Sequence, residues 1–242
     1  MTAKPPASLS PLTSSRLRLK ICGVKTVDQA LAAESAGADW IGLNFVEGSP
    51  RRIDLETATA IVKALHRAEP VGLFVNATPD QIRESMQAIG ASIVQLHGEE
   101  PPETIKALSD YRVIKAFRLG ENRHLRELSD YWRRTEALGH PLHAILIDAW
   151  VADRRGGAGA LIAESCLRNL PDLPVPWILA GGLNASNLAS QVSKMNARPW
   201  MVDAASGVES SPGVKCAKLM RDFVQSARDC DNMLSPAFSD ER

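Results

Sequence analysis

The feature that most limits what this chain can become is a repeating unit: a short apolar run, a break, then a helical pattern. The runs end near Cys22, Phe45, Asn76, His97, Phe117, Asp148, Gly181 and Ser206, about 26 residues apart on average, the length that a strand and its crossover helix need before the next parallel strand. The first unit is the clearest. Leu17, Leu19 and Ile21 alternate with Arg18, Lys20 and Cys22, a period of two that predicts a strand with two different faces. Gly23 breaks it, and the spacing predicts a helix over 27–36 with Gly37 as its C-cap. Further helices are expected over 55–66, 79–89, 102–108 and 122–138. Eight units are more than an open doubly wound sheet usually carries, and no Gly-x-Gly-x-x-Gly follows the first strand. The prediction is therefore an α/β chain closed into a single-domain (β/α)8 TIM barrel.

Composition narrows the class of partner. With 45% apolar and 23% charged residues over 242 positions, the chain has the material for one sizeable core. Lys plus Arg and Asp plus Glu each number 28, so no net basic field draws in nucleic acid or an anionic membrane surface, and a small-molecule partner is expected. No apolar run approaches the roughly 18 residues that would span a bilayer. Cys22, Cys166, Cys216 and Cys230 are far apart, with no Cys-x-x-Cys and no histidine cluster. That pattern predicts free thiols in a reducing cytoplasm, with neither disulfide frame nor metal site. Residues 1–16 carry Pro5, Pro6 and Pro11 among Ser and Thr, without the apolar stretch of a signal peptide, and read as a disordered tail. The barrel is expected over 17–228 and a loose tail over 229–242, where Ser, Asp and Pro replace the periodic pattern.

In a barrel of this kind the reactive groups collect at the carboxyl ends of the strands, and the loops after strands seven and eight often hold phosphate. Those loops read Ala180-Gly181-Gly182-Leu183-Asn184 and Ala205-Ser206-Gly207-Val208-Glu209; glycine lets backbone N–H groups approach an anion closely. Asp148 closes strand six after Ala144-Ile145-Leu146-Ile147. A carboxylate there is costly unless it stands at the mouth with partners, so it is a candidate acid or base, an N-cap being the alternative. Cys22 ends strand one, although lone cysteines are most often small buried hydrophobes. Arg51, in a Ser-Pro-Arg turn after strand two, suits a carboxylate or phosphate. His97 and Asp203 lie at strand ends as neighbours of the site. Lys20 shares the face of Cys22 two residues deeper, and is expected to fill or salt-bridge the barrel interior.

Several stretches together resemble the phosphoribosylanthranilate isomerase family of tryptophan biosynthesis. They are Lys20-Ile21-Cys22-Gly23, Gly42-Leu43-Asn44-Phe45 with Ser49-Pro50-Arg51, Gly72-Leu73-Phe74-Val75-Asn76, Val94-Gln95-Leu96-His97-Gly98, Leu146-Ile147-Asp148-Ala149, Ala180-Gly181-Gly182-Leu183 and Ser206-Gly207-Val208-Glu209. The resemblance runs in order from about Leu19 to Val224. It implies an Amadori rearrangement of N-(5-phosphoribosyl)anthranilate to 1-(2-carboxyphenylamino)-1-deoxyribulose 5-phosphate, with no metal or organic cofactor. The family's general acid falls on Asp148 and its general base on Cys22. Arg51, His97 and Asp203 would contact the substrate, and Gly157, Gly159, Gly181, Gly182, Asn184, Ser206 and Gly207 would surround the phosphate. Such a pair wants opposed shifts, a thiol made acidic and a carboxyl kept protonated.

The chain also departs from the family pattern. Gly156-Gly157-Ala158-Gly159 is followed by Ala160 to Ser165, where the family has a hydroxyl residue and Phe-Asp-Trp; Ala205 replaces a common serine and Cys216 a common aspartate. The loop change is expected to touch affinity more than reaction type. Two other readings are a different phosphate-binding barrel enzyme, such as indole-glycerol phosphate synthase, for which Lys115 is the one strand-borne lysine near a suitable place, and a non-catalytic barrel that kept the cavity. The assembly is expected to be a monomer or a homodimer.

Overall fold

In a computed structural model the described residues are 16–120, 122–140, 142–149, 161–172, 175–196 and 198–234. Eight parallel strands close on themselves in chain order, β1 pairing with both β2 and β8. They are β1 (Arg18–Cys22), β2 (Trp40–Asn44), β3 (Glu69–Phe74), β4 (Ile93–Leu96), β5 (Arg112–Leu119), β6 (Ala144–Ala149), β7 (Trp177–Leu179) and β8 (Met201–Ala204). Between them run α1 (Val27–Ala36), α2 (Leu55–Ala64), α3 (Pro79–Ile89), α4 (Pro102–Ala107), α5 (Asn122–Ala137), α6 (Glu164–Arg168) and α7 (Leu188–Val192), and α8 (Ala217–Leu234) follows β8. A small hairpin, β9 (Glu209–Ser211) with β10 (Val214–Lys215), is inserted before α8. The single (β/α)8 barrel is thus the observed fold.

Local chemistry sets the helix ends. Thr26 caps α1 by accepting the Gln29 N–H, and Gly37, at φ 111°, adopts the left-handed conformation that closes it. In α3 the Thr78 and Gln81 side chains cap each other's backbone N–H groups and Pro79 opens the first turn.

The period of two in β1 separates two cores. Leu17, Leu19 and Ile21 pack outward against the helices, among them Ala30 and Ala33 of α1 and Phe223 of α8. The barrel interior holds Trp40, Val71, Ile93, Ile114, Leu146, Ile178 and Met201, so the lumen is filled rather than hollow. Lys20 is wholly buried there and its Nζ lies 2.8 Å from Asp203 Oδ2 on the neighbouring β8, as expected for a lysine on the inner face.

The described residues extend beyond 17–228 at both ends. Arg16 pairs with Asp39, so the chain is already docked at its side chain. At the other end α8 continues past Asp229 to Leu234, because its apolar stripe, Met220, Phe223, Val224 and Ala227, extends to the buried Cys230. Asp231 then accepts the Leu17 N–H at 2.7 Å, tying the last helix to the first strand. Residues 1–15 and 235–242 lie outside the described residues. Among the described residues no helix is long and apolar enough to cross a membrane, and no group of His, Cys, Asp and Glu is arranged to hold a metal ion.

Candidate active site

The strands deliver their last inward-facing residues to one cavity at the carboxyl end of the barrel. Cys22 from β1 and Asp148 from β6 both line it, with Arg51, His97, Asp203, Gly181, Gly182 and Ser206. All four cysteines are free thiols.

Cys22 is 6% exposed, yet its sulfur is not set among aliphatic groups alone. The Lys20 ammonium, Asp203 and Lys215 are close enough to act on it electrostatically. Gly42 makes room from the neighbouring strand: a Cβ there would stand 2.8 Å from the sulfur. Burial pushes the Cys22 thiol above its ordinary value, Lys20 opposing and Asp203 reinforcing the rise. In the protein without substrate, burial therefore outweighs the neighbouring ammonium. For Lys20 burial favours the neutral amine, but the Asp203 carboxylate and the Cys22 sulfur together outweigh it and hold the ammonium protonated.

Asp148 is anchored by one oxygen and faces the cavity with the other. Oδ1 accepts the Ala149 N–H at 2.8 Å, while Oδ2 stands 3.3 Å from His97 Nε2. That approach lacks the alignment of a hydrogen bond, and Nε2 is buried with no hydrogen-bond partner; catalytic contacts of this type often tighten only when substrate is bound. His97 Nδ1 lies 3.1 Å from Gln95 Nε2. The loop after β7 closes tightly over the carboxyl. A Cβ on Gly181 would come within 2.6 Å of the Ala149 nitrogen and 3.1 Å of Asp148 Oδ1, and its φ is 84°, so glycine is required there twice over.

Arg51 is held as a fork. Its Nε and Nη2 each donate at 2.8 Å to the two oxygens of Glu209, and Lys215 Nζ donates to the same carboxylate at 2.6 Å. Burial raises the Glu209 carboxyl, but Arg51 and Lys215 outweigh it and hold it below the usual range. The absent side chain of Gly23 gives the arginine its path, since a Cβ would stand 2.4 Å from Arg51 Cδ.

The expected phosphate residues divide. Gly181 and Gly182, both at positive φ, and Ser206 line the cavity. Gly207 serves instead as the contact between the two loops, where a Cβ would strike the Leu183 carbonyl oxygen at 1.9 Å. Asn184 does not line the cavity; its Oδ1 accepts from the Ser186 N–H at 2.9 Å, the Ser186 hydroxyl at 2.7 Å and the Asn187 N–H at 3.2 Å, closing its own turn. Gly157 and Gly159 lie outside the described residues. Ala205 lines the cavity with a methyl group where the family pattern has a hydroxyl. Cys216 directly precedes α8, where a thiol is a weaker cap than an aspartate. Lys115 does not line the cavity and is buried against Glu100, which removes the lysine on which the indole-glycerol phosphate synthase reading relied.

Asn44, Gln95 and Arg118 also line the cavity and were not singled out from sequence. The signal was present in the alternation: Gln95 shares the phase of His97, and Arg118, two residues beyond Ala116, is the Cα partner of Asp148 across β5 and β6.

A closed barrel whose carboxyl mouth brings a thiol, a carboxyl and glycine-rich loops into one polar cavity defines a barrel enzyme of small-molecule metabolism. The pattern described as N-(5'phosphoribosyl)anthranilate (PRA) isomerase matches residues 19–226. A relative from Myxococcus xanthus, N-(5'-phosphoribosyl)anthranilate isomerase, is 42% identical over 215 residues, covering 88% of this chain and 96% of its own. Among solved structures, phosphoribosyl anthranilate isomerase from Thermus thermophilus superposes with TM-score 0.76 at 36% identity, covering 88% of this chain and 99% of that one. A second, solved in complex with reduced 1-(o-carboxyphenylamino)-1-deoxyribulose 5-phosphate, has TM-score 0.71 at 30% identity, with 88% and 99% covered. The chain belongs to the N-(5'-phosphoribosyl)anthranilate isomerase family.

Proposed function

We infer that this chain converts N-(5-phosphoribosyl)anthranilate into 1-(2-carboxyphenylamino)-1-deoxyribulose 5-phosphate, with Asp148 as general acid and Cys22 as general base. Asp148 gives its proton to the furanose ring oxygen as the C1–O bond breaks, and the nitrogen lone pair forms the C1=N iminium. Cys22, as thiolate, takes the proton from C2, and the C2–H electrons neutralise the iminium to give an enolamine. Tautomerisation then places the carbonyl at C2 and a proton on C1, so the rearrangement is redox-neutral within one molecule.

The observation that carries this reading is the placement of Cys22 and Asp148 on one cavity beside Gly181, Gly182 and Ser206. Burial of the sulfur fits a base that is needed only late. The thiol stays protonated until the iminium, a cation at bonding distance from C2, adds to the field of Lys20 and favours the thiolate, whose proton is released to water at the open mouth before the C2 proton is taken. Arg51, fixed by Glu209, is suited to the anthranilate carboxylate, and Asp203 and His97 to the ribose hydroxyls. The complex of a family member with the reduced product analogue supports a ligand of this class.

Loss of the fluorescence of N-(5-phosphoribosyl)anthranilate on adding the protein tests the activity. Growth of a tryptophan auxotroph lacking this step tests it in cells, and failure of both would reject the reading.

A further inference from the structure

Behind the active-site cavity, between α5 and the loops after β3 and β4, lies a buried ion pair that the proposed chemistry does not use. Lys115 and Glu100 are 3% and 4% exposed, and Lys115 Nζ is 3.1 Å from Glu100 Oε2. The ammonium also lies over the rings of Phe117 and Tyr131, 5.4 and 5.8 Å from their centroids. A buried ion pair is a poor source of stability, because desolvation offsets most of the attraction. Its contacts show another use.

The pair grips the two peptide units that follow His97. Glu100 accepts the Gly98 N–H at 3.0 Å, and Lys115 donates to the Gly98 carbonyl at 2.7 Å. Glu100 Oε1 also accepts the Asn76 N–H at 2.8 Å, while Asn76 Oδ1 accepts the Glu99 N–H at 2.7 Å. Asn76 sits at φ 53°, a left-handed conformation that these bonds hold in place. Gly98 has no side chain because a Cβ would meet Asn76 Oδ1 at 2.2 Å and Glu100 Oε1 at 2.7 Å. On its other side His97 is fixed by the strand, its N–H donating to the Phe74 carbonyl at 2.9 Å. The backbone that carries the imidazole is thus held from both directions, and the imidazole is the side chain 3.3 Å from Asp148.

We propose that Lys115 and Glu100 are a positioning pair that fixes the His97–Gly98–Glu99 backbone so that the His97 ring is held against Asp148. The inference rests on Asp148 being the general acid. Neither residue touches the substrate; both act through His97. Replacing the pair by neutral groups of similar shape removes the donor to the Gly98 carbonyl and exchanges the charged acceptor of the Gly98 and Asn76 N–H groups for a neutral, weaker one, while leaving β4 and β5 paired.

The test uses the full chain with Lys115→Met and Glu100→Gln combined, which removes both charges and leaves none unpaired. The kcat is expected to fall at least about tenfold, the scale of a catalytic group displaced by a fraction of an ångström. In a His97→Asn background the same double replacement changes kcat less than about twofold, because its only route to the chemistry is already gone. An equal loss in both backgrounds, or full activity in the double variant, overturns the proposal. A second measurement needs no turnover. In protein carrying 15N-labelled histidine, the ring signals of His97, assigned by their loss in His97→Asn, move in the double variant while those of His143 stay. Unmoved His97 signals in a folded protein overturn the proposal. Glu100→Asp, which keeps both charges and shortens the reach to the Gly98 N–H, is the milder form for the same spectrum if the double variant does not fold. Absence of turnover in the unaltered chain would instead reject the role of Asp148, and the spectrum would still decide whether the pair sets the ring.

Discussion

The two ends of the barrel use the same residue types to opposite effect. At the amino end, Trp40, Trp200 and His143 pack ring on ring, with Trp40 and Trp200 edge to face at 5.2 Å and His143 6.1 Å from each. Arg18 covers Trp200 at 5.0 Å, and Arg112 pairs with Glu69 beside them. At the carboxyl end an arginine, a histidine and carboxylates recur, but they are held from behind by Glu209, Gln95 and Lys20 and leave a cavity in front. A histidine among rings is pushed down to about 4, by burial first and by Arg112 second. His97, whose Nε2 stands 3.3 Å from the Asp148 carboxyl, faces the open cavity instead. Residue type therefore says little; the end of the strand on which it stands says most.

The largest effect that would sharpen this contrast is at the mouth. Asp148→Asn is expected to lower kcat by about 10²–10⁴-fold, the contribution of one positioned proton-transfer group, with thermal unfolding unchanged; wild-type turnover would break the contrast. Trp40→Ala at the other end is expected to cost about 3–5 kcal/mol of stability while the folded fraction keeps its kcat, checked by denaturant titration alongside initial rates. Arg51→Ala comes next. It removes one fork and leaves Glu209 to Lys215, so KM should rise about tenfold or more, roughly 1.4 kcal/mol, with a smaller change in kcat; an unchanged KM would remove Arg51 from the binding site.

The smallest effect belongs to His143. Its value lies at about 4 in the folded protein against an ordinary 6.5, so between those limits the unfolded chain binds more protons. Stability from this group is present above about pH 6.5 and is lost as the pH falls toward 4. Since the ring is partly exposed, solvent screening reduces the effect to about 1 kcal/mol at pH 5. His143→Phe keeps an aromatic ring and is expected to shrink the drop in Tm between pH 7 and pH 5 by roughly 2–4 °C.

The barrel was legible because strands and helices announce themselves by different periods. α1 and α3 fall where the spacing put them, Val27–Ala36 and Pro79–Ile89, since their caps are local. The extent of α8 was not legible, because Asp229 and Asp231 look like a solvated tail until Asp231 is seen to hold the Leu17 N–H, 214 positions away in sequence. In the site, Cys22, Asp148, His97 and Asp203 stand at strand ends and Arg51 in the turn after β2, where the sequence pattern and the family resemblance together singled them out, and all line one cavity. What sequence could not show was the support behind them. The Glu209 grip on Arg51 and the Lys115 grip on Gly98 join residues 158 and 17 positions apart, and no local pattern encodes such contacts. Asn184 misled for the opposite reason: it stands in a phosphate-type loop, yet its oxygen is taken by its own turn.

The most direct test of the central claim is the single-turnover rate of Cys22→Ala on N-(5-phosphoribosyl)anthranilate, followed by fluorescence on protein whose Tm matches the parent. A sulfur that removes the C2 proton predicts a loss of about 10²-fold or more. A rate equal to the parent's would show that the proton leaves by another route, and the assignment of the base would be wrong.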